Sequence, residues 1–192
     1  KEEVVDLTPR AYHRTPEMHL REGSLVTDWG RHNIGYLKDI TPYGATFQPL
    51  DLKGYQKEKA LQYVLLRDAY ERLYRYESNL HEANVQWREH LNTCYDEFVM
   101  RYGNLNAKQN VKLVMMDAGG RDILSLERVK NGKFVKADIF ERPVSFAVES
   151  HANVGSPEEA LSASLNKFGT VDLDYMREIT DSTAEELLTA LQ

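Results

Sequence analysis

Cysteine is almost missing from this chain: Cys94 stands alone among 192 residues. An intramolecular disulfide framework is therefore excluded, and the usage fits a reducing cytosol. No run approaches the ~18 apolar residues of a spanning helix, and no signal-peptide pattern opens the chain. There is no Walker loop, no dinucleotide fingerprint, no His-Glu-x-x-His and no Gly-x-Ser-x-Gly. Each of those spacings is what brings a phosphate, a cofactor, a metal or a nucleophile into register, so the common signatures of those chemistries are absent. A starting methionine is absent as well: the sequence opens at Lys1 and stops at Gln192 inside a helical pattern. The expectation is a piece of something longer.

What is present is ordinary for a globular protein. Hydrophobic residues make up 42% and charged residues 28%, neither disordered nor membranous. The length suits one domain, or one domain with a small appendage, and allows a core without metal or disulfide. The net charge of −6 is unevenly spread. Residues 101–150 hold 9 basic and 6 acidic residues, net +3, whereas residues 151–192 hold 2 and 8, net −6. The overall acidity argues against a dedicated nucleic-acid module, though a local basic face stays open.

Residues 1–21 carry Thr8-Pro9 and Thr15-Pro16 without periodicity and predict a linker or arm. Short strands are expected at 24–29, 34–37 and 45–50, with Thr41-Pro42-Tyr43-Gly44 as a turn, forming an antiparallel meander. Tyr63, Leu66, Tyr70, Leu73, Tyr76 and Leu80 recur at spacings of three and four, which predicts a helix over 53–78. Arg67, Asp68, Glu71, Arg72 and Arg75 fall mostly on its other side. A second helix is expected at 81–102, with Trp87, Leu91, Cys94, Tyr95, Phe98 and Tyr102 as its stripe and Gly103-Asn104 as its stop. Together the two suggest an antiparallel helical hairpin.

Val111–Met116 is a strand candidate, followed by a turn at Asp117–Gly120. Segments 124–129 and 134–140 flank Asn131-Gly132, the dipeptide most favoured by a two-residue hairpin turn. In the last segment, Ser156-Pro157-Glu158-Glu159 opens a helix and two shorter helices follow, giving a helix-turn-helix-like tail over 151–192.

Candidate chemistry is thin. His81 and His90 lie half a turn out of phase on one helix; His90 and Cys94 share a side but supply only two ligands. Asp117, Asp122 and Glu127 lie near Arg121 and Arg128, where salt bridges on a turn are the expectation. The strongest binding signal is the basic stretch Lys108, Lys112, Arg121, Arg128, Lys130, Lys133 and Lys136, with Phe134 nearby. Cations on a hairpin can follow a phosphate backbone. Arg121, Arg128, Lys130, Lys133 and Lys136 are the candidate nucleic-acid-binding residues. The tail is a poorer reader of DNA: its last helix opens Thr183-Ala184-Glu185-Glu186, and carboxylates there repel phosphates. Packing against a neighbouring domain is expected for it instead.

Several stretches carry a family pattern. DAGGRDILSLERV from Asp117, KFVKADIFERPV from Lys133, SPEEALSASLNKFGTVDLDYMREIT from Ser156 and GSLVTDWGRHNIGYLKD from Gly23 together cover most of residues 22–192. They resemble a region of the large fused DNA methylase–SNF2-type helicase proteins of bacterial conjugative elements and phages. The resemblance implies an accessory region beside catalytic modules. The methylase and helicase motifs of that family do not occur here, so no catalytic residue is carried over.

The expected fold is α+β: a helical hairpin, small antiparallel β elements, and a three-helix tail. The expected segments are 1–21 (arm), 22–150 (α+β domain) and 151–192 (tail). The expected function is a non-catalytic accessory domain that positions DNA or couples catalytic modules. Its expected partners are DNA, through the basic β stretch, and neighbouring domains of the same parent chain. No cofactor, metal or membrane is expected, and the expected location is cytoplasmic. The alternatives are a structural or protein-interaction module without nucleic-acid contact, and an unrecognised enzyme.

Overall fold

Alternating side chains build a small antiparallel sheet in the first fifty residues. The computed structural model describes residues 4–13 and 20–147. Strands β1 (Arg10–His13), β2 (Leu25–Asp28), β3 (Asn33–Lys38) and β4 (Gly44–Pro49) lie in the order β1-β4-β3-β2. The meander β2–β3–β4 follows the sequence pattern, and the Thr41 N–H donates to the Gly44 carbonyl at 2.8 Å across the expected turn. On one face Val26, Leu37 and Phe47 form a small core with Tyr12 against it. On the other, Leu25, Ile34 and Tyr36 join the main core beneath the helices. Gly35 makes the sheet's tightest approach possible, because a Cβ there would meet the Gln48 carbonyl oxygen at 2.4 Å and the Phe47 ring at 2.8 Å.

Strand β1 departs from the expected arm. Residues 10–13 pair with β4 from Arg10↔Phe47 to His13↔Gly44. Arg10 stacks over the Phe47 ring and donates to Asp28 of β2 at 2.9 Å. A four-residue edge strand, with only Ala11 and His13 on its exposed face, leaves little periodic signal, so only the pairing reveals it.

The two long helices are α1 (Gly54–Leu80) and α2 (Val85–Tyr102). Tyr55 meets Tyr102, and Arg72 sits over Trp87. The start of one helix therefore faces the end of the other, and the hairpin is antiparallel. Tyr63, Leu66, Leu73, Leu91, Tyr95 and Phe98 are buried between them and the sheet; each such side chain contributes roughly 1.5–3 kcal/mol by burial. Helix α2 starts four residues later than the pattern suggests, because Asn84 caps it by accepting from the Trp87 N–H at 3.0 Å. Gly103 ends it at φ +89°, as Gly-Asn predicts.

Val111–Met116 is not a strand. It forms most of helix α3 (Lys108–Met116), and the short helix α4 (Gly120–Leu124) follows. Buried residues fall at 110, 113, 114 and 117, the spacing of one helical face. A six-residue segment with five apolar residues reads equally well in either period; Asn110 decides. Its side-chain amide donates to the carbonyls of Tyr102, Gly103 and Asn104 at 2.9, 3.2 and 2.7 Å. It thereby closes the end of α2, and a helix starting at Lys108 points it there. Lys59, buried on α1, donates to the Asn110 side chain at 3.0 Å, and burial lowers its ammonium pKa.

The Asp117–Gly120 turn consequently joins two helices rather than two strands. Gly120 fits because a Cβ there would lie 1.9 Å from the Val114 carbonyl oxygen. Asp117 is drawn inward: it accepts from the Leu25 N–H at 2.9 Å, the Tyr63 hydroxyl at 2.7 Å and Arg67 at 2.8 Å. The helical wheel placed Arg67 on the wet side, but here it is buried against this carboxylate.

The second sheet is the hairpin β5 (Glu127–Lys130) and β6 (Lys133–Lys136), turned by Asn131 at φ +54° and Gly132 at φ +74°. It is shorter than the pattern at both ends. Residues 120–124 belong to α4, and residues 138–140 form a 3-10 turn that buries Ile139 and Phe140. The architecture is α+β.

The chain divides into two compact units: residues 1–73 with 84–141, and residues 74–83 with 142–192. Everything above belongs to the first, apart from the last turns of α1. In the second, His81 takes φ +52° just after α1, its N–H donates to the Glu77 carbonyl at 2.9 Å, and its ring stacks on Phe146. The helix-turn-helix-like tail expected at 151–192 lies outside the described residues.

Candidate nucleic-acid interface

The β5–β6 hairpin is held at its base by a crowded carboxylate. Glu127 accepts from the Tyr95 hydroxyl at 2.7 Å, the Leu105 N–H at 2.9 Å and the Asn104 amide at 3.0 Å. It also accepts from the Asn106 N–H and side-chain amide, both at 2.9 Å. Burial by itself pushes the Glu127 carboxyl up. The hydrogen bonds from Tyr95, Asn106, Leu105 and Asn104 outweigh it and hold the pKa below the usual range. Burial, then the bond to Glu127, raises the Tyr95 phenol, which stays neutral and donates. Glu127 is thus no partner of Arg121 or Arg128, contrary to the expected turn salt bridges.

The five candidate cations separate into three groups. Arg128 is paired with Asp138. Lys136 reaches Asn92 at 2.6 Å and Asp96 at 3.1 Å, with its ammonium over the Tyr95 and Phe140 rings. Both charges have an acidic partner within the fold. Arg121 is exposed on α4, away from the strands, as are Lys108 and Lys112 on α3. The single basic β stretch of the sequence is therefore distributed over four elements, α3, α4, β5 and β6.

Lys130 and Lys133 remain. They flank the Asn131-Gly132 turn, pair directly across the strands, and are exposed. Neither makes an ion pair among the described residues. Like charges placed opposite each other repel, and an anion placed between them relieves that repulsion.

The other face of the tip carries Val129 opposite Phe134. They are 69% and 38% exposed. Phe134 was near the basic stretch in the sequence, but its pairing with Val129 was missed. The signal was available: each is two residues from the turn, so a two-residue loop makes them neighbours.

A cavity of about 280 Å³ lies by Arg10, Tyr12, Asp28, Trp29 and Phe47; Arg10 pairs there with Asp28 through Nη2, while its buried Nη1 has no hydrogen-bond partner. The Cys94 sulfur sits 3.5 Å from His90, and burial raises its thiol pKa. Among the described residues no group of three or more His, Cys, Asp or Glu is placed to hold a metal ion, and no helix is long and apolar enough to cross a membrane.

Comparison with known families adds one finding. Residues 153–192 match the family model described as the winged helix domain of a probable helicase. The end of the chain is thus similar to a helicase-associated domain, and it is the segment whose sequence pattern is helix-turn-helix-like. No curated protein and no solved structure matches the chain.

Proposed function

We propose that this chain is a non-catalytic accessory portion of a larger DNA methylase–SNF2-type helicase protein of a mobile element, which positions DNA or couples the catalytic modules. The observation that carries its helicase-associated part is the match of residues 153–192 to a helicase winged helix model. Winged helix domains commonly bind DNA. The family resemblance, over most of residues 22–192, supports the methylase–SNF2 setting, and the Lys130–Lys133 tip supports contact with DNA. In this reading the chain does no chemistry itself, works in the cytoplasm beside its parent's catalytic modules, and uses Lys130 and Lys133 first among the five candidate cations. Arg121 contributes from α4, and Arg128 and Lys136 hold the hairpin in place.

The test is binding of the whole chain to a labelled DNA at low and rising salt. Affinity that falls steeply with salt and weakens on reversing Lys130 and Lys133 to Glu is expected. No affinity at low salt sinks the reading. A second reading, a protein-interaction module, draws on the exposed Val85 and Met100 of α2 and Met115 and Met116 of α3. It predicts self-association in size-exclusion chromatography and no DNA binding.

A further inference from the structure

We infer that the β5–β6 tip is built for unpaired nucleic acid, gripping the backbone with Lys130 and Lys133 and a base with Phe134 and Val129. This rests on the proposed DNA contact and names its substrate class. The tip carries two unfavourable features at once. One face sets Lys130 against Lys133, and the opposite face leaves Val129 and Phe134 in water. Phosphates alone relieve the first and leave the second untouched. In an intact duplex the flat faces of the bases are covered by their neighbours, so an aromatic side chain finds nothing to stack on. A strand with unpaired bases offers phosphates and open base faces together. It satisfies both sides of the hairpin with one ligand.

The base of the hairpin favours this use. Glu127 is fixed by five hydrogen bonds, and Lys136 is held over Tyr95 and Phe140. The tip can therefore meet a strand without first being ordered, which lowers the entropic cost of binding. Arg128 and Lys136 stay neutralised, so the charge is concentrated at the turn. A polyanion without base faces, such as an acidic peptide, would answer the lysines alone.

The experiment compares three probes on the whole chain: an oligothymidylate of about 20 nucleotides, a blunt duplex of the same length, and polyglutamate. The wild type is expected to prefer the single strand. Phe134→Leu keeps an apolar residue and removes the stacking ring. It should weaken single-strand binding on the order of ten-fold and leave duplex binding unchanged, while Phe134→Trp restores it. Lys130→Glu with Lys133→Glu should weaken both DNA probes. Equal loss on single strand and duplex with Phe134→Leu, or no loss on either, overturns the inference while leaving the DNA reading intact. Polyglutamate binding with the same Phe134 dependence also overturns it. Failure of the wild type to bind any DNA removes the proposed function and this inference with it.

Discussion

Arg67 and Asp117, 50 residues apart, meet at 2.8 Å with side chains only 4% and 0% exposed. Asp117 also accepts from the Leu25 N–H and the Tyr63 hydroxyl, so one carboxylate ties β2, α1 and the α3–α4 turn together. Burial disfavours the Arg67 charge, but Asp68 and Asp117 outweigh it and keep the guanidinium protonated. Burial and the Asp117 charge raise the Tyr63 phenol, which donates as a neutral group.

Removing Asp117 leaves the buried Arg67 with only the half-exposed Asp68, 2.9 Å away, and removing Arg67 strands Asp117 in the interior. Asp117→Asn is expected to cost roughly 3–5 kcal/mol in urea unfolding. Arg67→Met added to it should cost less than the two single losses combined, because the stranded cation is gone. Strict additivity would show that the two side chains are energetically independent.

Glu127 makes the fold sensitive to acid. Its folded pKa lies below the ordinary Glu carboxyl value that the unfolded chain has. The unfolded chain therefore takes up the proton first, and the stability Glu127 contributes is present above that value. It is lost as pH falls through the lower folded pKa. The urea midpoint should drop between pH 5 and the acid limit, and Glu127→Gln should flatten that drop while lowering stability at pH 7. An unchanged pH profile in the variant would remove Glu127 from the explanation.

Gly120→Ala should be among the most damaging small substitutions. Its added methyl would lie 1.9 Å from a backbone oxygen of Val114, and backbone cannot move aside as a flexible side chain does. A loss of roughly 3 kcal/mol is expected, seen as a lower melting temperature. Gly132→Ala meets no atom within 4 Å but sits at φ +74°, so its cost should be about 1 kcal/mol, from backbone conformation alone. Equal losses at the two sites would mean that crowding at Gly120 is relieved elsewhere.

The lysines of the hairpin should differ in salt dependence. Replacing Lys130 and Lys133 with Gln should reduce the slope of log affinity against log salt by roughly 1.5–2. Lys136→Gln should leave the slope unchanged, because Asp96 already neutralises that charge at 3.1 Å. A slope that drops equally for all three would place Lys136 on the DNA as well.

Much of the framework was legible in local pattern. The Tyr63–Leu66–Leu73 stripe marked α1, Gly103 marked the end of α2, and Asn131-Gly132 marked the hairpin turn. Each is a matter of backbone conformation or of period, decided within a few residues. Residues 110–117 were not legible in that way. Val111–Met116 suits two periods, and only Asn110 closing the end of α2 selects the helix. Strand β1 exists because β4 offers an open edge.

The sequence by itself therefore determined the α+β class, the two long helices, the first meander, and the hairpin turn between Lys130 and Lys133. Tertiary structure decided which charges are available. Arg67, Arg128 and Lys136 are indistinguishable from free cations in a list of residues. Packing brings Asp117, Asp138 and Asp96 against them across 50, 10 and 40 positions of chain. Charge pairing depends on distance in space, which the spacing of residues along one strand or helix does not encode. The same folding that consumed those three charges left Lys130 and Lys133 facing each other at the tip, backed by Val129 and Phe134.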